Sequence, residues 1–157
     1  MKQTLTALMF MSLLTVGCGS NSNTPCGSKS AGDSCTTTDG ARAGLCVFDM
    51  AALVCKTKCL GPFDTSICGL GGGCFIVPSI NNFVCLGVGS SQLTTGTNCD
   101  EDNACTPTNM CVGLSNIGGG YRLCYQACDQ DHPCDGVGVS CQAAGSYNFT
   151  ACLPLTP

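Results

Sequence analysis

The apolar positions fall into two regimes. Residues 5–16 form one apolar run behind Lys2, and after Cys18 no long stretch repeats apolar residues at helical spacing. That run is about half of the ~20 residues a helix needs to cross a bilayer, so it predicts a secretory signal rather than a stable span. Beyond it, residues 19–25 are polar and low in complexity, the composition of a flexible tether that spans roughly 15 Å as a random coil. Further along, short groups of β-formers are bounded by cysteines and turn residues. Phe75-Ile76-Val77 and Phe83-Val84 flank Asn81-Asn82, which predicts a hairpin between Cys74 and Cys85. A second is predicted between Cys111 and Cys124, with Asn116 to Gly120 as its turn and Tyr121-Arg122-Leu123 as its return strand.

Composition changes this picture in one respect. The chain has 17 cysteines in 157 residues, no tryptophan and 21 glycines. Cysteine at that density marks a disulfide scaffold, in which bridges replace much of the core burial. The expected fold class is small and disulfide-rich: short β-hairpins and loops in four four-Cys units, with little helix after the signal and no extensive apolar core.

Sixteen of the cysteines form an internal repeat. The units are Cys26, Cys35, Cys46 and Cys55; Cys59, Cys68, Cys74 and Cys85; Cys99, Cys105, Cys111 and Cys124; and Cys128, Cys134, Cys141 and Cys152. In the last three, two gaps of five to eight residues precede one of ten to twelve, and the first unit is the divergent member. Three residues separate units one and two, and three separate units three and four, so each pair should pack as one module. The expected organisation is a signal at 1–17, a tether at 18–25, a module at 26–85, a Gly/Ser/Thr-rich hinge at 86–98 and a second module at 99–157.

Four cysteines allow three pairings within a unit. Joining first to third and second to fourth ties both ends of each hairpin to the loop before it, and is the favoured expectation. It pairs Cys26 with Cys46, Cys35 with Cys55, Cys59 with Cys74, Cys68 with Cys85, Cys99 with Cys111, Cys105 with Cys124, Cys128 with Cys141 and Cys134 with Cys152. The spacing resembles that of epidermal-growth-factor-like and Dickkopf-type cysteine-rich modules, and that resemblance implies the same pairing. Zinc, haem and thioredoxin-like chemistry want close C-x-x-C or Cys/His pairs; the chain has none, and only one histidine. No metal or cofactor is implied.

Cys18 stands apart. An odd count leaves one thiol without an internal partner, and Leu14-Thr15-Val16-Gly17-Cys18 resembles a bacterial lipobox. The resemblance implies cleavage after Gly17 and lipid on Cys18, with Thr15 where such sites mostly carry Leu. Gly19, rather than Asp, in the next position implies the outer membrane. The expected partner is therefore the membrane, reached through lipidated Cys18, in the bacterial cell envelope.

Charge narrows the remaining chemistry. In residues 26–85 four acids balance four bases, whereas in residues 99–157 six acids face Arg122 alone, a balance of −5. Nucleic acid, which recruits Lys and Arg, is not an expected partner. The acids lie in two matching loops, Cys99 to Cys105 and Cys128 to Cys134, where Asp100, Asp102, Asp129 and Asp131 are the candidate calcium ligands. Each loop alone offers fewer than the six to eight oxygens calcium takes and lacks a distal bidentate Glu, so Asx-turns are the expected role. His132 is the single histidine and no Ser or Cys has a nucleophile context, so no enzyme is expected. The functional expectation is a lipid-anchored structural or binding module whose partner is an envelope or extracellular protein. The alternative is a protease inhibitor presenting Lys56 or Lys58 in the segment Cys55-Lys56-Thr57-Lys58-Cys59.

Overall fold

The computed structural model describes residues 24–38, 42–114 and 121–155. The signal, Cys18, residues 19–23 and the expected turn at 116–120 lie outside the described residues. Among the described residues, ten short strands make up the fold: β1 (Thr24–Pro25), β2 (Ser34–Thr36), β3 (Ala43–Asp49), β4 (Ala52–Thr57), β5 (Gly72–Val77), β6 (Asn82–Gly87), β7 (Asn109–Gly113), β8 (Arg122–Gln126), β9 (Val139–Ala143) and β10 (Thr150–Pro154). Among the described residues the only helix is a 3₁₀ turn at Ser66–Cys68, and none is long and apolar enough to cross a membrane.

Each unit is one antiparallel hairpin built from its last two cysteines. Cys46 faces Cys55, Cys74 faces Cys85, Cys111 faces Cys124 and Cys141 faces Cys152 as register partners. Directly opposite residues project to the same face of an antiparallel pair, so each hairpin aims two sulfurs at the loop preceding it. That loop carries the other two cysteines. Eight bridges result: Cys26–Cys46, Cys35–Cys55, Cys59–Cys74, Cys68–Cys85, Cys99–Cys111, Cys105–Cys124, Cys128–Cys141 and Cys134–Cys152. Their sequence separations run from 12 to 20 residues, and closing such a loop constrains the unfolded chain by about 3 kcal/mol in the chain-entropy model.

The repeat extends to the backbone. In every unit the N–H of the first cysteine donates to the carbonyl two residues before the fourth: Cys26 to Leu53, Cys59 to Phe83, Cys99 to Arg122 and Cys128 to Thr150, at 3.0–3.3 Å. The residue before each first cysteine pairs with the residue before the fourth, giving Pro25 with Val54, Lys58 with Val84, Asn98 with Leu123 and Ala127 with Ala151. Because Lys58 and Ala127 directly follow β4 and β8, these contacts hang unit two on unit one and unit four on unit three. Unit one adds β2 outside β3, making a four-stranded sheet in the order β1-β4-β3-β2.

Three expectations need correction. Thr24 and Pro25 do not belong to the tether: they form β1, paired with Cys55 and Val54 of β4. A proline, lacking an N–H, fits there because β1 is an edge strand. Second, residues 86–98 are not an open hinge. Val88 donates to Gly71 at 2.9 Å, Gly89 to Asn103 at 3.1 Å, Leu93 to Ala104 at 2.8 Å and Gly96 to Cys124 at 2.8 Å, so the segment is tied on both sides. Third, an apolar core is present. Leu45, Val47 and Val54 of unit one pack with Val77 and Val84 of unit two. In a second cluster, Phe75, Ile76 and Phe83 of unit two join Met110, Val112, Tyr125, Ala151 and Leu153 from the second half of the chain. Phe75, Ile76 and Met110 are fully buried, and the Ile76 N–H points at the Met110 thioether at 3.4 Å.

Candidate binding cleft

The hairpins position a cleft of about 650 Å³ where units one, two and three meet. One wall is the tip of the β3–β4 hairpin. Asp49 pairs with Ala52, leaving a two-residue turn of Met50 and Ala51, with Met50 in the left-handed region at φ 56°. Glycine or asparagine is usual at such a place. The tight turn leaves Phe48 67% exposed and Met50 completely exposed at the cleft edge. Lys56 of β4 lies behind them, buried to 4% exposure, with its Nζ 2.8 Å from the half-exposed Asp49 carboxylate.

The second wall is the end of β6 and its continuation, Leu86 to Val88. The acidic loop of unit three supplies the third, pinned by Asn103, whose side-chain amide donates to the Gly87 carbonyl at 2.7 Å. Arg122 of β8 braces the same loop: its guanidinium donates to the carbonyls of Asp100 at 2.9 Å and Cys111 at 2.7 Å, and to the carboxylate of Asp102. Burial raises the Asp102 carboxyl above its ordinary value, outweighing the hydrogen bond and the charge of Arg122.

Electrostatically, the cleft is acidic, with four carboxylates and two cations in its lining. Its two cations, Lys56 and Arg122, are already matched by Asp49 and Asp102. Asp100 and Glu101 are exposed, and among the described residues their carboxylates have no partner. Two carboxylates therefore face solvent beside an exposed aromatic ring and a thioether.

The four candidate calcium ligands divide. Asp100 and Asp102 line the cleft. Asp129 lies in the unit-four loop, where its Oδ1 accepts from the N–H groups of Asp131 and His132 and sits 2.8 Å from the His132 ring nitrogen. Burial alone would raise that carboxyl, but the His132 ring bond and the two backbone donors outweigh it and hold Asp129 below the usual range. Asp131 is exposed. Asp129 thus makes local bonds, as Asx residues in loops do, whereas Asp102 is held by Arg122, 20 residues along the chain. Among the described residues, the clusters with three potential ligand atoms within 4.8 Å are trios of cysteine sulfurs, one per unit, such as Cys26, Cys35 and Cys46. Those sulfurs are bonded in pairs and offer no thiolate.

Phe48, Met50 and Asn103 escaped the sequence reading. An apolar Met-Ala turn between alternating strands, where Asn or Gly is usual, was the available signal for the first two. His132 also has an unforeseen neighbour, its ring stacking on Phe63 with centroids 3.8 Å apart and planes at 10°. Lys56 and Thr57, expected in a presented loop, are strand residues at 4% and 1% exposure, while Lys58 is exposed. Comparison with protein-family profiles, curated proteins and solved structures finds no match to this chain.

Proposed function

We propose that this chain is a binding module of the bacterial cell envelope, anchored in the outer membrane by lipid on Cys18. The observation that carries the proposal is the complete pairing of the other cysteines: eight bridges use sixteen of the seventeen and leave Cys18 without an internal partner. Bridges at that density belong to oxidising compartments, and the lipobox-like residues 14–18 supply a use for the remaining sulfur. Two or three acyl chains make such attachment durable, where one is marginal. The short tether then holds the folded part near the lipid surface. Hairpins fixed by bridges hold loops in one conformation before a partner arrives, which lowers the entropy lost on binding. The similarity to epidermal-growth-factor-like and Dickkopf-type modules belongs to this reading and rests on spacing. The inhibitor alternative loses Lys56, which is buried and ion-paired rather than presented, and rests on the exposed Lys58 alone.

The test is the intact mass of membrane-extracted protein, with thiols alkylated before and after reduction. The expected result is a lipid-bearing chain that begins at Cys18, with no thiol labelled beforehand and sixteen labelled afterwards. An unlipidated chain would remove the anchor, and several open thiols before reduction would remove the bridged scaffold.

A further inference from the structure

The cleft between units one, two and three has a composition that selects its occupant, and the inference rests on the binding-module reading. Its two cations are already matched by Asp49 and Asp102, so an anionic ligand would meet no free positive charge there and would face the Asp100 and Glu101 carboxylates. A purely apolar ligand would strip water from those carboxylates without returning a hydrogen bond, which is costly. A cation on an apolar stem satisfies both. Its charged head meets Asp100 and Glu101, and its stem covers Phe48 and Met50, whose ring face and thioether suit a cation and its methylenes.

The division of the site between two walls favours a peptide over a free amine. The exposed apolar pair stands on the β3–β4 tip while the free carboxylates stand on the unit-three loop, on separate walls of a 650 Å³ cleft. A peptide engages both walls at once with two neighbouring side chains, one charged and one apolar. We propose that this cleft binds an extended basic peptide segment of a partner protein, with an Arg or Lys side chain between Asp100 and Glu101 and a neighbouring apolar side chain against Phe48 and Met50. The walls are set in advance: Arg122 braces the acidic loop and Asn103 fixes it to Gly87, so binding orders little of this chain.

The probe is a fluorescein-labelled, capped peptide of sequence Gly-Leu-Arg-Leu-Gly, titrated by anisotropy with the fully bridged protein at about 0.15 M salt, where exposed charges more than about 8 Å apart are largely screened. The controls are the Leu-Glu-Leu counterpart and putrescine. Saturable binding of the Arg peptide is expected, about tenfold weaker in the D100N/E101Q double variant and also weaker in Phe48→Ser and in Met50→Ser, with no binding of the Glu peptide. These side chains are exposed and make no described bond, and each variant's fold is checked by its bridge count and thermal transition. No binding of the Arg peptide, equal binding of the Glu peptide, or unchanged affinity in the D100N/E101Q variant would overturn the proposal. So would putrescine binding as tightly as the peptide with no effect of the Phe48 and Met50 variants, which would assign the site to free amines. Failure of peptide binding by a bridged, lipidated chain leaves the anchor standing, and an unlipidated chain that binds the peptide leaves the cleft standing.

Discussion

Cys46 and Cys55 face each other across β3 and β4, yet neither is bonded to the other: Cys46 joins Cys26, and Cys55 joins Cys35. A bond between them would only close a hairpin that the strand ladder already closes. Bonds to the preceding loop instead clamp that loop against one face of the hairpin. The arrangement crowds the backbone alongside. A Cβ built on Gly44 would lie 2.5 Å from the Lys56 carbonyl oxygen and 2.8 Å from the Cys55 sulfur.

Gly44→Ala should therefore destabilise the chain by about 1–3 kcal/mol, the range for inserting a methyl where the structure cannot yield. The obstacles are a backbone oxygen and a bridged sulfur, which have little freedom to move aside. Thermal unfolding of the oxidised protein measures this. An unchanged midpoint with all bridges formed would show that β3 and β4 separate more easily than their contacts imply.

The bridges should not yield to reductant together. Cys141 is the one exposed member among the sixteen bridged cysteines, while its partner Cys128 is buried. Thiol–disulfide exchange depends on access of the attacking thiolate to a sulfur, so Cys128–Cys141 should open first under limiting thiol. Alkylation and peptide mapping after brief reduction would place the first label on these two residues. First labelling at Cys59 and Cys74, which are both buried, would mean that local opening rather than static exposure controls the order.

The hairpins were legible in the sequence because their signals are local: cysteines at fixed spacing, β-formers such as Phe75-Ile76-Val77, and turn residues such as Asn81-Asn82. What was not legible depends on partners distant in the chain. Ile76 and Met110 meet across 34 positions, and nothing near either residue announces the other. Residues 86–98 read as a hinge because Gly, Ser and Thr carry no apolar pattern, whereas their order comes from backbone bonds to Gly71, Asn103, Ala104 and Cys124. Lys56 read as presented because a lysine between two cysteines suggests a loop, yet β4 continues through Thr57 and places that lysine beside Asp49. Of the cleft, the acids Asp100, Glu101 and Asp102 were visible as a charged loop. The apolar tip that faces them comes from a different unit.

Asp129 makes one part of the stability depend on acid. Its folded pKa lies below the usual carboxylate value because of the His132 ring and the N–H groups of Asp131 and His132, despite the opposing effect of burial. A depressed folded pKa contributes stability that is present above the unfolded value, about 3.9, and is lost as pH falls through the folded value. Asp129→Ala should lower the unfolding midpoint at pH 6, and the charge-dependent part of the gap should close below about pH 4. Midpoints measured from pH 2 to 7 would show it. A gap that stays constant down to pH 2 would mean that the ionised carboxylate contributes nothing.

The seam at Ile76 and Met110 decides whether the chain unfolds as one body or two. Two modules on an open hinge would melt independently, and a change at Met110 would be felt only by residues beyond it. The structure instead buries Met110 completely among Phe75, Ile76 and Phe83 of unit two together with Val112 and Tyr125 of unit three. Truncating a buried Met to Ala removes its transfer free energy and leaves a cavity, at a cost of about 2–5 kcal/mol. Calorimetry of the oxidised protein should show one transition. Met110→Ala should shift that transition to lower temperature, and amide exchange should rise at Ile76 and Phe83 as well as at Val112. Two transitions, with the one from residues 26–85 insensitive to Met110→Ala, would return residues 86–98 to the role of a hinge.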